Sequence, residues 1–423
     1  LVIMVNNLKK SVVSTFGTSI KNVSDLKSLK LDIYRLTSKE LGFNTLRRLF
    51  GFLPYTKPNN NTLNILSNYV GYESFIVFIK KFKLDREWND WDYINDMLLE
   101  NELSKNHINW LIRKKSSNQY YKLLTYLISS LILKKDASNL SIIFENEKLF
   151  TLERSEIAKI STTLSKKFKS SSALDFNWIY SLLCFKSFRD IMLYSYVDVD
   201  TLSSYYGNLL KESLLIIQNE DEILFTKLML EFDCFVREIE PEREHSNYVV
   251  PKNCHPILLG RYYSVLYFKS KATQRKIFNQ ILNEAKTQKS RIEFFQEIIP
   301  IFIILKELDK IELIFDLYYD ELLDYDYWDH IHIERYNLVA LILIHIKNGR
   351  LKLIPDLFSF FNEETNFHIN DGYQKILFYI AKYHFLKLTK KTLKKTKNQY
   401  LEMVQKTGFV LFDENYLLNY FDQ

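Results

Sequence analysis

Glycine and proline are scarce: 423 residues hold nine glycines and seven prolines, and only five of the glycines lie beyond residue 72. Glycine supplies the positive φ of tight hairpin turns and the bare backbone of phosphate-cradling loops. A sheet of many strands joined by tight turns is therefore excluded, and no GxxxxGK[ST] or GxGxxG segment is present to hold a nucleotide. No HExxH occurs either. Three cysteines, Cys184, Cys234 and Cys254, without CxxC spacing, are too few for a disulfide framework or a zinc module and point to a reducing compartment. The longest apolar runs, 298–305 and 338–346, fall short of the ~20 residues of a membrane span. The opening LVIMV turns polar at Asn6 and Asn7, too soon for the apolar core of a secretory signal. A cytoplasmic protein without membrane contact is expected.

Hydrophobic residues make up 47% and charged residues 26% of the chain, so it has the means to bury large cores and is not a disordered polymer. Its length exceeds one simple core and implies two or three domains. From Tyr93 onward the apolar residues recur with the 3.6-residue period of helices, almost without interruption. Periodicity lapses only between Glu238 and Pro256, where three of the seven prolines fall. This spacing predicts domains at 1–84, 85–240 and 257–423. Within the long C-terminal part an apolar helix, a polar turn and a second helix recur at 123–147, 298–321 and 338–361. Paired helices of this kind stack in helical solenoids, and an irregular bundle of similar hairpins would give the same pattern.

The stretch from Leu36 to Phe82 differs from the rest. Gly42, Gly51 and Gly71 close short apolar segments, and Asn44 and Asn61 stand where helix N-caps are expected. A helix over about 24–40 carries Leu26, Leu29, Ile33 and Leu36 on one face. After a turn at Leu41-Gly42-Phe43, a short helix places Leu46, Leu49 and Phe50 inward and Asn44, Arg47 and Arg48 on the opposite side. Arginine pairs bidentately with guanine and asparagine with adenine in the major groove of DNA. A loop with Pro54 and Pro58 follows, then a helix from Asn61 and a fifth over 73–82. Residues 1–84 hold thirteen Lys and Arg against four Asp and Glu, so this part carries +9 of a chain whose total is +6. Such concentrated charge is the footprint of phosphate contact, with Lys57, Lys80 and Lys81 as further phosphate candidates.

The order of these pieces resembles the repressor-type five-helix DNA-binding domain. It is closest to a variant at the front of uncharacterised bacterial proteins, in which a TLRRLFG-like segment precedes a proline loop, a TLxxLSxYxGY-like helix and an aromatic pair. Here those are residues 45–51, 62–72, and Phe75 with Phe78. The loop from Phe52 to Asn60 is longer and more aromatic than in typical repressors. The resemblance covers about the first fifth of the chain and implies a helix-turn-helix that contacts DNA; the C-terminal body is loosely similar to TPR-like helical repeats. The expected fold class is all-α, a small helix-turn-helix bundle followed by a large, solenoid-like body of helical hairpins.

Catalytic chemistry is not evident, and neither an enzyme nor a cofactor is expected. Asp329, His330, His332 and Glu334 form the densest group of metal-ligand types, but on a helix only His330 and Glu334 share a face, so a polar helix start is expected there instead of a metal site. Adjacent Cys254 and His255 point to opposite sides of an extended loop and make a poor nucleophile pair. Acids accumulate from Glu307 to Glu334 as an amphipathic face. Six lysines fall within Lys387–Lys397, a solvated helix face, a second phosphate surface, or a run that docks onto the acidic patch within the chain. The expected function is double-stranded DNA binding by a transcriptional regulator. It is expected to act as a homodimer, because one module buries only ~600–1,000 Å² on DNA, with a peptide or protein partner on the helical body. The alternative is a helical-repeat interaction scaffold without DNA contact.

Overall fold

The computed structural model describes residues 2–170, 177–240, 248–323, 331–361 and 372–422, and every regular element among them is a helix. The chain divides into two compact units, Leu1–Asn101 and Glu102–Gln423.

The first unit contains α1 (Val2–Phe16), α2 (Val23–Thr37), α3 (Phe43–Leu49), α4 (Asn60–Tyr69) and α5 (Phe75–Leu99). Their apolar stripes meet in one core, with Val5, Leu8 and Val12 of α1 packed with Leu26, Leu29 and Ile33 of α2, Leu46 and Leu49 of α3, Leu63 and Leu66 of α4, and Phe75 and Phe78 of α5. A capping box starts α2: the Asn22 side chain accepts from the Asp25 N–H while Asp25 accepts from the Asn22 N–H. Gly51 and Gly71 end α3 and α4 with φ of +85° and +87°, the left-handed turn that glycine adopts without a Cβ clash.

Several local expectations change. α2 stops at Thr37 because Ser38, at φ 55°, turns the chain out of the helix. Leu36 is 58% exposed, and Leu41, at 4%, joins the core that holds Ile33. Gly42 closes nothing; it precedes α3 as N-cap, so Asn44 sits inside the first turn and is no cap. The cap of α4 is Asn59, whose Oδ1 accepts from the Thr62 N–H at 2.8 Å, and Asn61 is helical. The helix expected to end at Phe82 continues to Leu99, since neither glycine nor proline interrupts 75–99.

The second unit begins with α6 (Lys105–Lys114), α7 (Tyr120–Lys134), α8 (Ala137–Glu145), α9 (Arg154–Ser170), α10 (Lys186–Arg189), α11 (Tyr205–Ser213) and α12 (Glu220–Val236). It continues with α13 (Pro256–Lys269), α14 (Gln274–Ala285), α15 (Arg291–Phe295), α16 (Ile298–Ile304), α17 (Leu308–Leu323) and α18 (Ile331–Lys347). The last elements are α19 (Ile354–Ser359), α20 (Gly372–Leu388), α21 (Lys394–Thr407) and α22 (Glu414–Leu418). Packing largely follows chain order: α7 against α8 and α9, α12 between α11 and α13, α13 against α15 and α16, α18 between α17 and α20, and α20 against α21.

All three expected hairpins form, each closed by the same device. A left-handed residue (Lys135, Lys306 or Gly349) follows the first helix, and the next N–H reaches back five residues: Asp136 to Leu131 O at 3.0 Å, Glu307 to Phe302 O and Arg350 to His345 O at 2.8 Å. This satisfies carbonyls that a helix end otherwise leaves open. Two of these positions are lysine, and the same closure recurs at Glu238 and Lys390. A non-glycine residue there costs ~1–2 kcal/mol, which packing offsets, so a glycine-poor chain can still turn often.

Some ties reach beyond neighbouring helices. Asp200 accepts from the N–H groups of Gly372 (2.8 Å) and Tyr373 (2.9 Å), capping α20 from 172 residues earlier in the chain. Near the C-terminus the hydroxyls of Tyr416 and Tyr420 donate to Ile304 O and Ile303 O at 2.6 and 2.7 Å, so the last segment caps α16. Buried polar pairs align the helices between these ties. Arg261 of α13 binds Glu297 at 2.8 Å and lies 5.0 Å from the Phe225 ring centroid of α12. Glu231 of α12, 2% exposed, meets Lys269 at 2.7 Å.

Helix α13 approaches α15 so closely that a Cβ on Gly260 would lie 2.1 Å from Phe294 O. Gly260→Ala should destabilise the chain by about 1–3 kcal/mol through forced separation of the two backbones. Gly349→Ala, with open space around its Cβ position and only φ +68° against it, should cost about 1 kcal/mol. Urea melts of the two variants check the order; equal losses would mean that the helices do not meet at Gly260. A second expectation concerns His384. Burial holds its pKa below the ordinary 6.5, and Lys387 and Lys306 push it the same way against Asp422. Its Nε2 lies 2.8 Å from Leu417 O. Because the folded pKa is the lower one, this contribution to stability is complete above pH 6.5 and is lost as pH falls from there through the folded value. Melting temperatures between neutral pH and pH 5 should drop, and less steeply for His384→Gln; an identical slope in the variant would remove His384 as the cause.

Candidate nucleic-acid interface

Helix α3 has only seven residues, and its orientation follows from the burial of Leu46 and Leu49, at 0% and 3% exposure. With those two inward, Asn44 and Arg48 are exposed and Arg47 sits at the margin, half-buried. One Arg47 terminal nitrogen donates to Asn44 Oδ1 at 3.4 Å, while its Nε is shielded from solvent and has no hydrogen-bond partner. The sequence placed both arginines on the outer side; in the structure Arg48 takes that position and Arg47 flanks it.

The end of α3 is fixed by main-chain bonds. Phe52 N–H and Leu53 N–H both donate to Arg47 O, at 2.8 and 3.2 Å, folding the start of the proline loop back onto the helix. Pro58 is buried, and Lys57, one residue earlier, is exposed together with Tyr55. Lys80 of α5 is exposed; the Lys81 ammonium lies 5.5 Å from the Tyr72 ring centroid. The six residues singled out from the sequence thus lie on three segments: α3, the 52–59 loop and the first turns of α5.

Several other basic groups of the unit are already engaged. Arg35 is bound to Asp32 at 2.6 Å, and Asp32 also accepts from the Tyr69 hydroxyl. Lys30 pairs with Glu40 at 2.8 Å, holding the Glu40 carboxyl below its usual pKa. Backbone N–H groups of Lys21 and Asn22 likewise lower Asp25. Lys39 donates to Asn68 Oδ1 at 2.9 Å, and Lys9 lies 5.5 Å from the Phe50 ring centroid. No carboxylate lies within ion-pair range of Arg47, Arg48, Lys57, Lys80 or Lys81 among the described residues. A residue count alone could not pair Lys9 with Phe50.

Other chemistries fit less well. Among the described residues no three His, Cys, Asp or Glu side chains are grouped to hold a metal ion. Asp329 and His330 lie outside the described residues, and His332 and Glu334 belong to the first turn of α18. Cys254 is half-buried, which with Asp221 nearby pushes its thiol up to about 11, so it is not a thiolate nucleophile at neutral pH. His255 caps α13 through Nδ1, which accepts from the Ile257 N–H at 3.3 Å, and is thus engaged away from the sulfur. The acidic residues of α17 are partly neutralised, Asp309 by Lys347 and Glu321 by Arg291, and Glu307 just before it pairs with Lys310 and accepts from the Tyr267 hydroxyl. Two surface cavities of about 570 and 370 Å³ lie beside α9, the larger lined by Lys115, Ser117, Tyr121, Glu153 and Lys159. Both mix charges of either sign and expose no activated group. No helix among the described residues is long and apolar enough to cross a membrane. Comparison with protein-family models, with curated protein sequences and with solved structures gave no match.

Proposed function

We propose that the first unit binds double-stranded DNA as a helix-turn-helix, with α2 as the supporting helix, residues 38–42 as the turn and α3 as the reading helix. One observation carries the proposal: the short helix that joins the core through two leucines turns Asn44 and Arg48 to solvent, with Arg47 beside them and no carboxylate in reach among the described residues. Arg48 and Asn44 are suited to base edges, Arg47 to a base or phosphate, and Lys57, Lys80 and Lys81 to phosphates. A seven-residue helix reads few bases, so useful selectivity calls for two copies on a two-fold site. The second unit, a stack of hairpins with long apolar faces, would then serve dimerisation or a peptide or protein partner, as in a transcriptional regulator.

Selection of bound duplexes from a random library by the full chain should enrich one sequence. Arg48→Ala should weaken its retention ~10-fold or more, in line with ~1–3 kcal/mol for a bidentate base contact. Arg48→Ala combined with Arg47→Ala should abolish the preference while far-UV circular dichroism stays unchanged. Because Arg47 is half-buried, Arg47→Lys with Arg48→Lys provides a control that keeps charge and stem but loses the bidentate fork. An unchanged preference in the alanine pair, or no enriched sequence at all, would overturn the proposal in favour of an interaction scaffold.

A further inference from the structure

The second unit carries a concentration of positive charge that neither its fold nor α3 explains. Where α20 turns into α21, Lys387, Lys390, Lys391, Lys394 and Lys395 are all exposed. Their backbone is well fixed: Lys390 is left-handed at φ 54°, Lys391 N–H donates to Leu386 O at 2.9 Å, and Thr389 Oγ1 donates to Phe385 O. The sixth lysine of the run, Lys397, is neutralised by Glu414. No carboxylate lies within ion-pair range of the other five among the described residues. The acidic face of α17 is not docked here either; it pairs instead with Lys347, Arg291 and Lys310.

Helix energetics alone would not choose this arrangement. Lys387, Lys390 and Lys391 lie at the C-terminal end of α20, where cations are favourable, but Lys394 and Lys395 open α21, where they face the positive end of the helix dipole. No acid stands in that first turn, and Leu393 at the N-cap makes no side-chain hydrogen bond. α21 holds its place through burial of Tyr400 at 0% exposure and Thr396 at 3%. A polyanion would relieve the repulsion among the lysines and the unfavourable helix start together.

We infer that this lysine-studded turn is a second, sequence-blind surface for the phosphodiester backbone of duplex DNA. Lysine is a strongly hydrated point charge that follows phosphates, and the turn presents neither arginine nor an exposed aromatic ring to read bases. An anionic membrane fits less well: reversible binding of basic segments needs a second, apolar anchor, and Leu388 is the one exposed large apolar residue between 387 and 395. Two DNA-binding surfaces on one chain would act through raised effective concentration, with no new interaction between them. The inference does not depend on α3, and the experiment separates the two.

Anisotropy titrations of the full chain with random-sequence duplex DNA across a salt series test it. The Lys387→Gln, Lys390→Gln, Lys391→Gln, Lys394→Gln, Lys395→Gln variant should bind ~10-fold or more weakly at low salt. The slope of log affinity against log salt should become shallower by ~0.9 for each phosphate no longer neutralised. The same weakening should appear when the glutamines are added to the Arg47→Ala, Arg48→Ala chain, whereas replacing the five lysines by arginine should restore binding. The Lys394→Gln, Lys395→Gln pair alone should melt no lower than the parent, since it removes like charges from a helix start. Unchanged affinity and slope in the glutamine variant would overturn the inference. So would lysine-dependent binding to vesicles of phosphatidylserine and phosphatidylcholine without lysine-dependent binding to DNA.

Discussion

A helix of seven residues does not persist alone in water, because nucleation fixes several residues for each hydrogen bond gained and short segments do not recover that cost. α3 therefore exists through Leu46 and Leu49, each fully or almost fully buried and each contributing on the order of 1.5–3 kcal/mol by leaving water. The same two side chains fix its rotation. Once they face the shared core, Asn44 and Arg48 have no course except outward, and Arg47 is pressed against the edge. The direction of the exposed Asn44 and Arg48 face is thus a by-product of core packing. A change that loosens Leu46 or Leu49 would disturb the interface without touching it.

The second unit meets a related constraint by different means. It is assembled from many helices, several of one or two turns, and such pieces need ties beyond apolar packing to set their register. Buried charge pairs such as Arg261 with Glu297 and Glu231 with Lys269 give little net stability over an apolar core, yet separating one partner leaves a buried charge and is strongly unfavourable. They therefore penalise misalignment of α12, α13 and the start of α16. Asp200, holding the start of α20 from 172 residues earlier, and the tyrosines that finish α16 turn a series of neighbours into a closed body.

Much of this was legible in the sequence, and the failures have definite causes. Helical periodicity identified the all-α class and the three hairpins, since both depend on apolar spacing alone. Gly51 and Gly71 were readable as helix ends because glycine favours a left-handed residue. Ser38, Lys135, Lys306 and Lys390 were not, because those residues take the same conformation only where packing outweighs their preference. That is why α2 was expected to run to Glu40 and Leu36 to be buried. Asn44 and Asn61 were misplaced as caps for another reason: in the run Asn59, Asn60, Asn61 every residue is a good cap by type, and only the fold selects one. The shielded Arg47 Nε was beyond a helical wheel, which gives direction but not the depth of the neighbouring wall.

Charge placement links the two surfaces. In residues 1–84 thirteen basic groups face four acids, and three of those four are already engaged by Lys30, Arg35 and the Asn22 cap. Beyond that point the sign reverses within a single helix: the remainder of α5 carries Asp85, Glu87, Asp90, Asp92 and Asp96 against Arg86. If the proposed DNA contact holds, the acidic half would repel a duplex and give the attraction a direction. The rest of the chain sums to −3, yet the α20–α21 turn gathers five exposed lysines. Within a Debye length of ~10 Å at moderate salt a phosphate senses the local cluster and not the distant acids, so a net-acidic region can still hold a strongly cationic tip. Net charge alone points only to the first unit; the distribution of charge shows two cationic surfaces.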